Sequence, residues 1–190
     1  MISWIIFLVG VIVSISLGYF TNVNIFEFWE IVIIFIVALV ILILLNAICA
    51  IVCSKWLPNK LYNAESKFFS PNKKEYNFYI KLGVKVWKDK TIEWGKLNGF
   101  SKSKIEEPKS PEYINRFILE CNKGYLSHLT SLFIATFIFL CVPKTLIFTM
   151  ALPMFITSFI LNSIPIIILR YNIVRLKILL LYSQRNKKTD

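Results

Sequence analysis

A single histidine, His128, serves the whole chain of 190 residues, and it follows Glu120 by two helical turns in the run Glu112 to Leu129. An imidazole, with an ordinary pKa of about 6.5, can take and return a proton at neutral pH, so His128 is the candidate general base. Two carboxylates are candidate catalytic companions, Glu120 and Asp89. On a straight helix Glu120 and His128 lie roughly 12 Å apart along the axis, so a direct bond needs a break near Gly124. Otherwise the orienting partner comes from elsewhere. Asp89, between Lys88 and Lys90 and close after Trp87, either supplies it or sits in a charged turn at a membrane surface. Arg170 and Arg175 bracket Tyr171 and Asn172. A guanidinium fork can bind phosphate or polarise a carbonyl; the plainer account is a positive flank after a membrane span. Asn162 and Pro165 put a polar amide and a missing backbone donor into an otherwise apolar stretch.

Other chemistries find little support. Cys49 and Cys53 stand four apart and read as small core residues, and one histidine without a C-x-x-C pair is no zinc site, so no metal is expected. The residue five after His128 is Phe133, so an H-x-x-x-x-D pattern is absent. No G-x-S-x-G, Walker A loop or G-x-G-x-x-G occurs either.

These groups are embedded in a greasy chain. Hydrophobic residues make up 56% and charged residues only 17%, which is membrane composition. Ile2 to Phe20 carries no charge and suffices to cross about 30 Å of hydrocarbon; without a positive n-region or A-x-A site it reads as a retained anchor. Phe28 to Cys53 is the second span. From His128 to Leu169 the chain is apolar again, interrupted at Pro143-Lys144, which predicts helices Leu129 to Val142 and Thr145 to Leu169. The former is short and either crosses or forms a re-entrant hairpin. Pro153, Asn162 and Pro165 predict kinks in the latter.

Fifteen Lys or Arg lie in Ser54 to Ser127 and six in Arg170 to Asp190, leaving Lys144 elsewhere. The positive-inside rule then puts both segments and both termini in the cytoplasm of a multi-pass cell-membrane protein. Net charge +11 therefore points to anionic lipid headgroups rather than nucleic acid. The aromatic residues of the middle segment, Trp56, Phe68, Phe69, Tyr76 and Trp87 among them, predict a folded layer at headgroup level. Within it, Ile114, Phe117, Ile118, Cys121, Tyr125 and His128 share one helical face, and Arg116 and Glu120 form an i,i+4 pair. The expected fold is all-α, with three to four transmembrane helices and a cytoplasmic interfacial cap. Its segments are 1–53, 54–127 and 128–190.

Order and spacing of several short motifs extend this reading. Trp87-Lys88-Asp89-Lys90, Glu93, Gly99-Phe100-Ser101-Lys102, the helix with Glu120 and His128, and Asn162-x-x-Pro165 followed by Arg170-Tyr171-Asn172-x-x-Arg175-Leu176 run from about Pro58 to Leu181. In these the chain resembles the glycosyl-4,4'-diaponeurosporenoate acyltransferases, small bacterial membrane enzymes that esterify the sugar of a carotenoid glycoside. The resemblance implies O-acyl transfer from an acyl thioester, on coenzyme A or a carrier protein, to a hydroxyl of a glycolipid-like acceptor. The thioester is a co-substrate, and no further cofactor is implied. His128, Glu120 and Asp89 would be catalytic. Trp87, Lys88, Lys90, Asn162, Arg170, Tyr171, Asn172 and Arg175 would bind substrate. A small membrane methyltransferase and a non-enzymatic lipid-binding subunit are the rival expectations.

Overall fold

The structure, a computed structural model, describes residues 2–91 and 105–186. Among them there is no strand. Six α-helices carry the chain: α1 (Ile2–Asn22), α2 (Phe28–Ile51), α3 (Lys73–Lys81), α4 (Val84–Trp87), α5 (Pro111–Ile134) and α6 (Leu152–Asn186). Short π and 3-10 turns extend α2 to Trp56, α5 to Leu140 and α6 back to Lys144. Four of the resulting helices are long and apolar enough to cross a membrane, namely Ile2–Asn22, Phe28–Trp56, Pro111–Leu140 and Lys144–Arg185. The protein is thus an all-helical membrane protein. Its four cysteines are free thiols.

Two boundaries differ from expectation. No break separates an interfacial helix from a third span at His128, because α5 runs unbroken from Pro111 through Gly124 to Ile134. One glycine costs a helix only about 1 kcal/mol, and good helix formers on both sides sustain it. The last helix does not stop at Leu169 either. It continues to Asn186, so Arg170 and Arg175 ride on α6 rather than on a tail. The run Ile173 to Leu181 is rich in Leu and Ile and supplies the apolar face that carries the helix on. Pro165 lies inside α6 and removes one donor from its ladder.

The chain divides into two compact units, Met1–Ile51 with His128–Ile164, and Val52–Ser127 with Pro165–Asp190. In the first, α2 buries Ile31, Phe35, Ala38 and Leu42, spaced four, three and four, against Ala135, Ile138, Leu146 and Met150. On α1 the buried positions are Gly10, Ser14, Gly18 and Asn22, a ridge of small residues every fourth place. Such a ridge lets helix backbones approach closely where lipid offers no hydrophobic drive for association. A Cβ on Gly10 would overlap the Thr157 side chain, and one on Gly18 would press on Met150. Large side chains such as Phe20, Trp29, Leu140 and Phe148 stay exposed, as lipid contact permits.

The second unit is built on α6. Its Lys177 donates to the Ala64 carbonyl and to Ser70 Oγ at 2.9 Å, clasping the loop before α3. Asn72 caps α3 by accepting from Glu75 N at 2.8 Å. Gly83, at φ 65°, makes the turn into α4. Ser110 caps α5, accepting from Tyr113 N at 3.1 Å with Pro111 in the first helical position.

Candidate active site

In the first unit the half-buried His128 meets Asn162, with Nδ1 and Oδ1 3.0 Å apart. Which way the amide faces is fixed by its other end. Nδ2 of Asn162 donates to the Ser158 carbonyl at 3.0 Å and lies 3.4 Å from Ser158 Oγ. Oδ1 is therefore the atom turned to the imidazole, so Nδ1 carries the hydrogen and Nε2 the lone pair. The orienting partner that the sequence left open is this amide. Nothing short-range announced it, since Asn162 lies 34 residues from His128.

In the second unit Arg170 is buried and donates three ways. Its Nε donates to Glu75 Oε1, Nη2 to Glu75 Oε2 at 2.8 Å, and Nη1 to the Phe68 carbonyl at 2.8 Å. The guanidinium carbon lies 4.7 Å from the centroid of the Tyr125 ring. Glu75 also accepts from the Tyr79 hydroxyl. Burial alone would raise the Glu75 carboxyl, but the bonds from Arg170 and Tyr79 outweigh it and hold the group below its ordinary range. Burial and the Glu75 bond push the Tyr79 phenol up. Tyr171 is buried and stacks on Tyr76, centroids 5.7 Å apart. Arg175, exposed, lies over Tyr171 at 5.7 Å. Asn172 is half-buried on the same helix.

The sequence alone points to neither Glu75 nor Tyr79. The available signal was a lone acid after Lys73 and Lys74, with a tyrosine four residues on.

The remaining candidates sit in local pairs. Lys88 Nζ bonds Asp89 Oδ1 at 2.9 Å in an exposed 3-10 turn that also holds Lys90. Trp87 Nε1 donates to the Leu82 carbonyl at 3.0 Å. Glu120 pairs with Lys123 at 3.0 Å, both largely buried. Beside them Asn122 is fully buried and donates to the Tyr62 carbonyl at 3.2 Å. Tyr62 donates to the Cys53 carbonyl, and burial first, then Cys53 and Glu120, push its phenol up to about 12. Glu93 and the motif Gly99-Phe100-Ser101-Lys102 lie outside the described residues.

Comparison with known proteins agrees with the motifs. A search of the curated proteins and a search of the solved structures each found no match. A protein-family model, glycosyl-4,4'-diaponeurosporenoate acyltransferase, matches residues 58–181. That stretch is more than half of the chain and holds His128, Asn162, Glu75 and Arg170. The protein is therefore a membrane acyltransferase belonging to the glycosyl-4,4'-diaponeurosporenoate acyltransferase family.

Proposed function

We propose that the protein moves a fatty acyl chain from a thioester to a sugar hydroxyl of a carotenoid glycoside or similar glycolipid, with His128 as the general base. The observation that carries this reading is the bond between His128 Nδ1 and Asn162 Oδ1. It presents Nε2 as the acceptor. The acceptor hydroxyl gives its proton to Nε2 as its oxygen attacks the thioester carbonyl. A C–O bond forms, the tetrahedral centre collapses, the C–S bond breaks, and the departing thiolate takes the proton back from Nε2. Asn162 accepts from Nδ1 throughout and steadies the transient imidazolium.

The other roles follow from exposure and charge. Arg175, exposed beside Tyr171 and Asn172, is suited to a phosphate of the donor, whether coenzyme A or a carrier protein's prosthetic arm. Arg170 already has three donors committed and holds α3 in place. Trp87, Lys88 and Lys90 would line the donor's path, and no proton is routed through Glu120 or Asp89, each tied to a lysine. Four crossings return a chain to its starting side, and the positive flanks make that side the cytoplasm of the cell membrane. The methyltransferase and non-enzymatic alternatives give way to the family assignment.

The test is turnover with radiolabelled acyl thioester and a glycosylated acceptor in reconstituted membranes. His128→Ala should lower kcat by about 10²–10⁴ at unchanged expression. Retention of a third or more of wild-type kcat would remove the base from the mechanism.

A further inference from the structure

α3 has two faces. Glu75, Tyr76 and Tyr79 turn inward to Arg170 and Tyr171 of α6. On the other side Lys74, Phe78 and Lys81 recur at four and three residues and are all exposed. After the Gly83 turn the pattern resumes, with Lys85 exposed and Val86 72% exposed, while Val84 is fully buried. Phe78 is 56% exposed and Leu82 43%. None of these residues belongs to the four helices long and apolar enough to span.

Large apolar side chains exposed together call for a partner, and the charge around them specifies it. Between Ser54 and Lys90 there are nine lysines and three acids. Glu75 is taken by Arg170 and Asp89 by Lys88, which leaves Glu65 as the third acid. Among the described residues Lys74, Lys81 and Lys85 make no salt bridge. A surface that mixes exposed aromatic and aliphatic groups with unneutralised lysines matches a headgroup layer, where rings and methyls enter the acyl boundary and ammonium groups stay with phosphate. Continuity supports the same partner. The chain enters this region from the second spanning helix, whose last residue, Trp56, is 76% exposed.

We propose that the outer face of α3 and α4, centred on Lys74, Phe78, Lys81, Lys85 and Val86, is an in-plane docking surface for anionic phospholipid. It is independent of the proton-transfer scheme above. Its inner face carries the carboxylate that holds Arg170, so lipid charge bears on the same short helix that fixes this arginine.

The experiment uses the full chain in nanodiscs of equal phosphatidylcholine and phosphatidylglycerol, with retained lipids counted by native mass spectrometry. Wild type should retain phosphatidylglycerol in excess. K74Q/K81Q/K85Q should lose half or more of that excess, and K74R/K81R/K85R should keep it. An acidic acyl carrier protein titrated onto phosphatidylcholine discs should bind wild type and the glutamine variant alike. The proposal is overturned if the glutamine variant keeps the full lipid excess. It is also overturned if those substitutions abolish carrier-protein binding instead, which would make the face a protein interface.

Discussion

Replacing Glu75 by Gln tests the reasoning about the second unit most directly. The carboxylate takes two N–H groups of Arg170 and the Tyr79 hydroxyl, and the guanidinium side chain is 10% exposed against 24% for the carboxylate. The amide introduced by Glu75→Gln would keep one acceptor but turn its N–H₂ toward another donor. Breaking one partner of a buried pair typically costs about 3–5 kcal/mol. Partial exposure of Glu75 lets water reach the vacated side, which lowers the expected loss to about 2–3 kcal/mol. For a chain of this size that is a Tm lower by roughly 4–12 °C.

A thiol-reactive dye reports it, because Cys53 and Cys121 of the same unit are 3% and 0% exposed and become reactive when the unit opens. The effect has a sign in pH. Glu75 in the fold titrates below its unfolded value, so its contribution is complete above about pH 4.5 and disappears as pH falls through the folded value. Wild type and Glu75→Gln should therefore differ fully at pH 7 and converge in acid. A gap that persists unchanged to pH 3, or no gap at pH 7, would refute the account of this pair.

Removing the Tyr79 hydroxyl in Tyr79→Phe takes one donor from Glu75, so the acid transition of the wild-type protein should move to higher pH while stability at pH 7 falls by about 1 kcal/mol, both read by the same thiol labelling. Asn162→Leu should lower kcat about tenfold or more and Asn162→Asp should retain more activity, because only the latter keeps an acceptor for His128 Nδ1; steady-state kinetics at fixed donor decide it. In Gly10→Leu the new side chain has no room against Thr157, and the first unit should lose about 1–3 kcal/mol of stability, read by Cys49 labelling; Gly10→Leu/Thr157→Ala should recover part of it. Gly83→Ala meets no atom within 4 Å but must hold φ 65°, so a loss of about 1 kcal/mol by denaturant titration is expected from backbone strain alone.

Spans, basic flanks and the helical face from Ile114 to His128 were legible in the sequence because each is a local pattern of period or charge. The ridge Gly10, Ser14, Gly18, Asn22 was equally local, at a spacing of four, but lay inside a run read only for its hydrophobicity. What was not legible was pairing. Glu75 and Arg170 are 95 residues apart, and His128 and Asn162 are 34 apart. No periodicity links such partners. Arg170 read as a free cation because its counter-charge lies in a segment dominated by lysine, where one acid is easily taken for a surface residue. The helix ends were misplaced for a related reason: Gly124 and Arg170 look like terminators locally, and apolar neighbours override them.

The polar groups of the spanning helices show why Asn162 differs from the rest. In an apolar surround an unsatisfied donor is costly, and the cheapest partner is the carbonyl four residues back on the same helix. Ser14 bonds Gly10, Asn46 bonds Leu42 and Thr157 bonds Pro153 in this way. A hydroxyl that does so has spent its only donor. An amide has not, because its carbonyl oxygen is still to be placed. Asn162 satisfies its nitrogen on Ser158 and directs its oxygen to the one imidazole in the chain. Serine or threonine at 162 would meet the needs of the helix as well as asparagine does. Neither would put a fixed acceptor in front of His128 Nδ1, so the choice of asparagine is explained by the histidine and not by the helix.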